Sequence, residues 1–256
     1  MTVYLAALQD LLKYGFDFSI ETRLIDLLKR SFFNQRPPTR RPRPFLSLHR
    51  VLNLLSSQEY GDSGTISNLL HKTVLLIALA TGARASQLFA LSRCKEWTKY
   101  GEDGSVVTLA PLPGFLTKNE RVDNVLQPKS IPVRTTQEGP HTLCPVNNLK
   151  KYIENTNYIK EDYLFAWPGS GLRCSKRHIA VILKRVIDKA DPGTLPKGRD
   201  TRKMAASLMF LHDHSLKRAS EVGQWTSTNS FAHRYLPPNV TDMNCVAMGA
   251  GPSGSV

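Results

Sequence analysis

Residues 66–80, ISNLLHKTVLLIALA, constrain this chain more than any other stretch. A helical segment that is apolar on nearly every side has two possible homes, the middle of a helical domain or a membrane. Its longest mainly apolar run, residues 74–80, falls far short of the roughly 20 residues that cross a bilayer. The segment is therefore predicted as a central helix around which a domain is wrapped. Thr81 and Gly82 mark its end, because glycine accepts the left-handed backbone that closes a helix.

The other elements follow from period and punctuation. Apolar helical patterns cover 4–12 and 20–33, with Leu24, Leu27 and Leu28 on one face. Ser47 is placed to cap a helix running through Leu55, and Gly61 to Gly64 interrupts the pattern before the central helix. A short helix is expected over 85–91. Three strands are expected at 105–112, 115–118 and 130–133, parted by Pro113-Gly114 and a polar loop. Helices return at 145–154, where proline suits the first turn, at 175–189 behind a Ser175 cap, and at 200–210. Two shorter ones are expected at 215–223 and 228–236. The fold class is α+β: mainly helical, with a small three-stranded antiparallel sheet. RPPTRRPRP at 36–44 holds four prolines and four arginines in nine residues, and each X-Pro step favours extended backbone. It reads as a linker between a helical fragment at 1–35 and a main domain at 45–238, with a flexible Gly/Ser tail at 239–256.

The chain is basic, with 34 Lys plus Arg against 21 Asp plus Glu and a formal charge of +13. Distribution matters more than the total, since a basic surplus serves nucleic acid, anionic lipid or solubility alone. Residues 27–58 contain no acid but carry Lys29, Arg30, Arg36, Arg40, Arg41, Arg43 and Arg50. Residues 173–203 hold ten Lys or Arg, among them Lys176, Arg177 and Lys203, against Asp188, Asp191 and Asp200. A single run is as well explained by a solvated face; two in one chain favour a phosphate-facing surface. Nucleic acid is the expected partner, through Arg36, Arg40, Arg41, Arg43, Lys176, Arg177 and Lys203.

The N-terminus lacks the basic region of a signal peptide and carries Asp10. Cysteines 94, 144, 174 and 245 form no Cys-x-x-Cys pair, which suits a reducing compartment. His212-Asp213-His214 has no third and fourth ligand at a zinc-like spacing, so no metal and no cofactor are assigned.

Arg84 stands at a helix start just after a tight turn, where outward N–H groups help to hold an anion. Arg202 stands at another helix start, in GRDTRK, and Trp225 and Tyr235 follow in GQWTSTNSFAHRYL. In order and spacing this series resembles the tyrosine recombinases (phage-integrase-like), and most closely those of DIRS-type and crypton-type eukaryotic mobile elements. The resemblance spans roughly residues 45–237, with a weaker echo in FFNQRPPTRRPRP upstream. The family pattern T-G-x-R-x-S-x-L lands on Thr81, Gly82, Arg84, Ser86 and Leu88. The resemblance implies Arg84 and Arg202 as catalytic arginines, Lys118 as the hairpin lysine with Lys129 as an alternative, Trp225 at the His-or-Trp position and Tyr235 as nucleophile. It implies a DNA strand transferase working through a 3′-phosphotyrosine. It also implies double-stranded DNA as the partner, self-association on it up to a tetramer, and a nuclear location in a eukaryote, otherwise cytoplasmic, with no secretion expected.

The residue types suit that chemistry. Metal-free phosphodiester cleavage needs a nucleophile, fixed cations for the charge building on phosphorus, and an acid for the leaving oxygen. Guanidinium forks match phosphate oxygens and never lose their charge. Arg199 departs from the family, which places His there; arginine donates hydrogen bonds but takes no proton from tyrosine. Three functions thus stay open: a recombinase or integrase, a catalytically impaired DNA-binding relative, and an enzyme like the type IB topoisomerases. His141, His178 and His233 read as ordinary loop or helix histidines. The 40 residues before the main domain are short for a full DNA-clamping domain, and only 21 residues follow Tyr235.

Overall fold

The computed structural model describes residues 2–18, 21–35, 46–61, 63–115, 130–135, 141–193, 196–198 and 200–213. The chain divides into two compact units, Met1–Pro44 and Phe45–Val256.

In the first unit, α1 spans Thr2–Phe16, longer than its predicted pattern, and α2 spans Thr22–Gln35, displaced from its own by two residues toward the C-terminus. Asp17 follows α1 with a φ of 50°, a conformation short polar residues tolerate. On α2, Leu24, Leu27 and Leu28 do share a face, but all three are about half exposed. Ile25, at 2% exposure, is buried there.

The second unit is built on α4 (Ile66–Thr81). Thr65 Oγ1 caps it by accepting from Asn68 N–H (3.2 Å), and Gly82 closes it at φ 62° with its N–H on Ala78 O (2.9 Å). Residues from Leu70 to Leu79 are all buried, as the pattern requires. Against α4 pack α6 (Pro145–Asn155), α7 (Lys176–Ala190), α8 (Asp200–Asp213) and the sheet's last strand. On α7 the buried set Ile179, Ile182, Leu183, Val186 and Ile187 repeats at three- and four-residue spacing, so one stripe faces inward and the basic residues face out. Each fully buried aliphatic side chain contributes about 1.5–3 kcal/mol. The helix is less purely apolar inside than its sequence suggests. Lys72, 2% exposed, donates from Nζ to Tyr60 O (2.9 Å), and the Thr73 hydroxyl donates to Leu69 O (2.7 Å).

Helix α3 (Leu48–Ser56) begins where predicted, with Ser47 Oγ accepting from Arg50 N–H. Asp191, just past the end of α7, ties the two helices by accepting from Arg50 Nη1 and from Ser47 N–H. Helix α5 (Ala85–Ala90) follows α4 directly and packs on α7.

The sheet has three antiparallel strands in the order β1 (Thr98–Tyr100), β2 (Val106–Leu109), β3 (Ile131–Arg134). The strand expected at 115–118 is described only at its first residue. Phe115 lies in no strand: its N–H returns to Leu112 O (3.3 Å) across the Pro113-Gly114 turn, and residues 116–118 lie outside the described residues. The strand sequence reasoning missed is β1, which pairs Thr98 with Leu109 and Tyr100 with Val107. Gly104 at φ 67° turns that hairpin. Strand β2 is shorter than expected because its continuation leaves the sheet, and Leu112 N–H bonds Ala90 O (2.8 Å) at the end of α5. Pro132 is tolerated because β3 is an edge strand. The expected helices at 215–223 and 228–236, the linker and the tail lie outside the described residues.

Candidate functional site

Arg84 owes its position to the way α4 ends. The Thr81 hydroxyl donates to Ile77 O (2.7 Å) and accepts from Ala83 N–H (3.2 Å), so the chain reverses tightly through left-handed Gly82. Arg84 then becomes the N-cap of α5. Its N–H donates to Gln87 Oε1 (2.9 Å), and its carbonyl accepts from the N–H groups of Gln87 (2.9 Å) and Leu88 (3.0 Å). Its backbone is fixed on both sides while its half-buried guanidinium meets no partner among the described residues. A rigid backbone under an unneutralised cation is the arrangement an anion clamp needs.

The far end of α5 is latched by Arg173, which no sequence motif singled out. Its Nη2 donates to Phe89 O (2.9 Å), and its guanidinium carbon lies 3.8 Å from the Phe89 ring centroid and 5.7 Å from that of Tyr163. Burial lowers its pKa. The strand bridge Ala166↔Arg173 and the Ser175 cap of α7 hold it from its own side. The only sequence signal is its place just before that cap.

Arg202 stands in the first turn of α8, 5% exposed. The approach to α8 is locked before it. Asp200 Oδ2 accepts from Lys197 N–H (2.8 Å), and the Thr201 hydroxyl donates to Gly198 O (2.9 Å). A Cβ on Gly198 would stand 2.8 Å from Ala180 O, so only glycine lets this segment lie flat on α7. Lys203 pairs with Asp200 at 3.3 Å, which makes it partly a helix-start charge pair. Lys176 and Arg177 form the exposed first turn of α7, where Ser175 Oγ accepts from His178 N–H (3.2 Å).

Of the expected site residues, the structure therefore places Arg84, Arg202, Lys176, Arg177 and Lys203 on α5, α7 and α8. Lys118, Arg199, Trp225, Tyr235, Arg36, Arg40, Arg41 and Arg43 lie outside the described residues, as do Lys129 and His233. His178 is an exposed helix residue whose Nδ1 accepts from Trp167 Nε1–H (3.4 Å), and His141 is exposed at the start of a 3-10 turn.

Several groups are unsuited to nucleophilic work. The Tyr152 hydroxyl is buried, donates to Ala166 O and accepts from Ala166 N–H (both 3.0 Å); burial pushes its pKa up to about 12. Burial likewise pushes the Cys174 thiol up to about 12. Desolvation first, then its hydrogen bond to Asp162 Oδ1 (2.8 Å), raises the Cys94 thiol. Among the described residues no three His, Cys, Asp or Glu side chains gather as a metal site, and no helix is long and apolar enough to cross a membrane.

No family model and no curated protein matches the chain. Its fold, however, is similar to several solved structures. XerA recombinase matches with a TM-score of 0.54 and 12% identity over 98% of this chain and 84% of that one. XerH site-specific recombinase, bound to palindromic difH substrate in a post-cleavage complex, matches with a TM-score of 0.53 and 13% identity over 82% of this chain. The match spans only 54% of the XerH chain. The Tn1549 transposon integrase in complex with transposon right end DNA matches with a TM-score of 0.55 and 12% identity over 84% of this chain and 69% of that one. The mainly helical unit with its three-stranded antiparallel sheet is thus the tyrosine recombinase catalytic fold.

Proposed function

We propose that this protein is a DNA recombinase or integrase that cuts and rejoins duplex DNA through a covalent 3′-phosphotyrosine. The observation that carries the reading is Arg84: a cation with its backbone locked at the start of α5 and no protein partner among the described residues, in a fold shared with DNA-bound recombinases. In this reading Arg84 and Arg202 hold the non-bridging oxygens of the scissile phosphate. Tyr235 Oη attacks phosphorus, the bond to the 5′ oxygen breaks, and Lys118 gives that oxygen its proton. Water takes the tyrosine proton, because Arg199 cannot. Trp225 donates an N–H to the phosphate or packs beside the nucleophile. The energy of the broken bond is kept in the phosphotyrosine, so a 5′ hydroxyl can reverse the step and rejoin the strand. The same reading makes the protein a mobile-element enzyme related to the DIRS and crypton types, self-associating on DNA and nuclear in a eukaryotic cell.

The test is a pool of nicked duplexes of randomised sequence, quenched in detergent. A protein–DNA adduct should form, vanish with Tyr235→Phe, and form about 10²–10³-fold more slowly with Arg84→Ala, as for loss of one fixed donor to a developing oxyanion. An adduct that survives Tyr235→Phe ends the assignment. Arg199 favours a second reading, a domesticated relative that binds DNA without cutting it. There the unaltered protein forms no adduct and Arg199→His creates one; cleavage by the unaltered protein eliminates it.

A further inference from the structure

Outside the proposed phosphate clamp, one surface combines unneutralised charge with shape. Between the outer face of α7 and the segment leading into α8 runs an open groove of about 440 Å³. Its floor is Ala180 and Val181, and its rim carries Arg177, Lys184 and Lys197, with no acidic residue in the lining. Among the described residues none of the three cations makes an ion pair, and Asp188, the next acid along α7, pairs with none of them. Val181 is 43% exposed, an aliphatic side chain left uncovered in the middle of a cationic face. The groove is built rather than incidental, because its second wall lies against α7 only through the close approach of Gly198 to Ala180.

Resting on the DNA reading above, we propose that this groove seats one sugar–phosphate strand of duplex DNA. Arg177, Lys184 and Lys197 take phosphate oxygens, while deoxyribose packs on Val181 and Ala180. Arg177 and Lys184 are seven residues apart on one helix face, about 10 Å at 1.5 Å per residue. One strand of B-DNA carries a phosphate every 3.4 Å of axis, so that length meets two or three successive phosphates. An acidic protein segment fits less well. Lysine is depleted from protein–protein interface cores, and such a partner has its own backbone donors and acceptors to satisfy, for which this floor offers only apolar carbon. Lys197 is five residues before Arg202. A strand held here is therefore fixed beside the start of α8 by contacts that set register and carry no base information.

The experiment uses the full chain and a labelled duplex, with affinity measured between about 50 and 200 mM salt. Each lost phosphate contact flattens the slope of log affinity against log salt by about 0.9. The triple change Arg177→Gln, Lys184→Gln, Lys197→Gln should flatten it by about 2.7, so the parent loses about 40-fold more affinity than the variant across that range. The same change at exposed Lys95 and Lys160 should leave the slope unchanged. Val181→Asp keeps all three cations, sits on an exposed face, and should still weaken binding by placing a carboxylate under the strand. A parent that binds duplex with a slope the triple change does not alter overturns the groove alone. A parent with no salt-dependent affinity for duplex overturns the DNA reading, and the groove with it. Poly-glutamate binding that the triple change abolishes, with the duplex slope unchanged, assigns the groove to an acidic protein and likewise overturns the proposal.

Discussion

Replacing His71 with leucine should make the protein more stable, and the gain should grow as pH falls. His71 lies in α4, 6% exposed, and its buried Nε2 meets no hydrogen-bond partner among the described residues. Leaving one buried polar atom unsatisfied costs about 1–3 kcal/mol, and an apolar side chain of similar size removes that cost. The titration adds to it. Burial, and secondarily the Arg185 guanidinium, hold the His71 pKa below its ordinary 6.5. The unfolded chain therefore binds a proton that the folded one resists. The stability linked to this group is complete above about pH 6.5 and is lost as pH falls from there through the depressed folded value, by about 1.4 kcal/mol for each pH unit between the two. Urea denaturation of parent and His71→Leu, followed by tryptophan fluorescence from pH 8 down to pH 5, should show a gap of about 1–3 kcal/mol at neutral pH that widens below about 6.5. In thermal melts the neutral-pH gap is about 2–4 °C per kcal/mol for a domain of this size. Arg185→Gln should narrow the widening, since it removes the second cause of the depression. Exposed histidines such as His49, His141 and His178 are common to both proteins and cancel in the difference. A leucine variant less stable than its parent, or a gap that does not change with pH, would refute the reasoning.

Two further outcomes follow from how Arg84 is held. Arg173→Met removes the donor to Phe89 O and the guanidinium over the ring, so urea titration should show a loss of about 1.5–4 kcal/mol. Adduct formation should slow further through the freed end of α5, while duplex affinity is kept; a variant as stable as the parent contradicts the latch. Gly82→Ala places a Cβ at φ 62° and should lower stability by about 1–2 kcal/mol, whereas asparagine, which tolerates that conformation, should cost less. Equal losses for the two would mean that crowding, not backbone strain, is responsible.

Element ends that carry their own chemistry were readable in the sequence. Ser47 and Ser175 do cap their helices, and Gly82 does close α4 in the left-handed conformation, because each acts on atoms within four residues of itself. Strand β1 was not readable. Thr98–Tyr100 is three residues long, and its place is set by pairing with β2 and by the Thr98 hydroxyl donating to Ser92 O, neither of which leaves a local pattern. FLTK carried the better strand composition, but of it only Phe115 is described, and its N–H turns back to Leu112 O across Pro113-Gly114. Composition selects what can be a strand, but pairing selects what is one. The site divides the same way: Arg84 announced itself through its neighbours in sequence, whereas the partner of Arg173 lies 84 residues away.

The charge surplus shows why spacing alone could not finish the reading. A formal +13 counts every cation alike, but the fold sorts them. Lys72 is consumed by Tyr60 O, Arg50 by Asp191, and Arg93 by the carbonyls of Thr156 and Ile159 and the Thr156 hydroxyl. Arg173 is consumed by Phe89 and Lys189 by Glu59. These charges hold helix ends and loops together, and a phosphate would have to displace a protein partner to reach them. Arg84, Arg177, Lys184 and Lys197 have no such partner among the described residues. For an incoming polyanion they are the cheaper ligands, since each gives up only water and counterions on binding. Affinity for DNA should therefore follow this second set and be nearly indifferent to the first. Stability should follow the first set, and Arg173, placed between a structural carbonyl and the helix of Arg84, is where stability and the rate of adduct formation, but not affinity, meet.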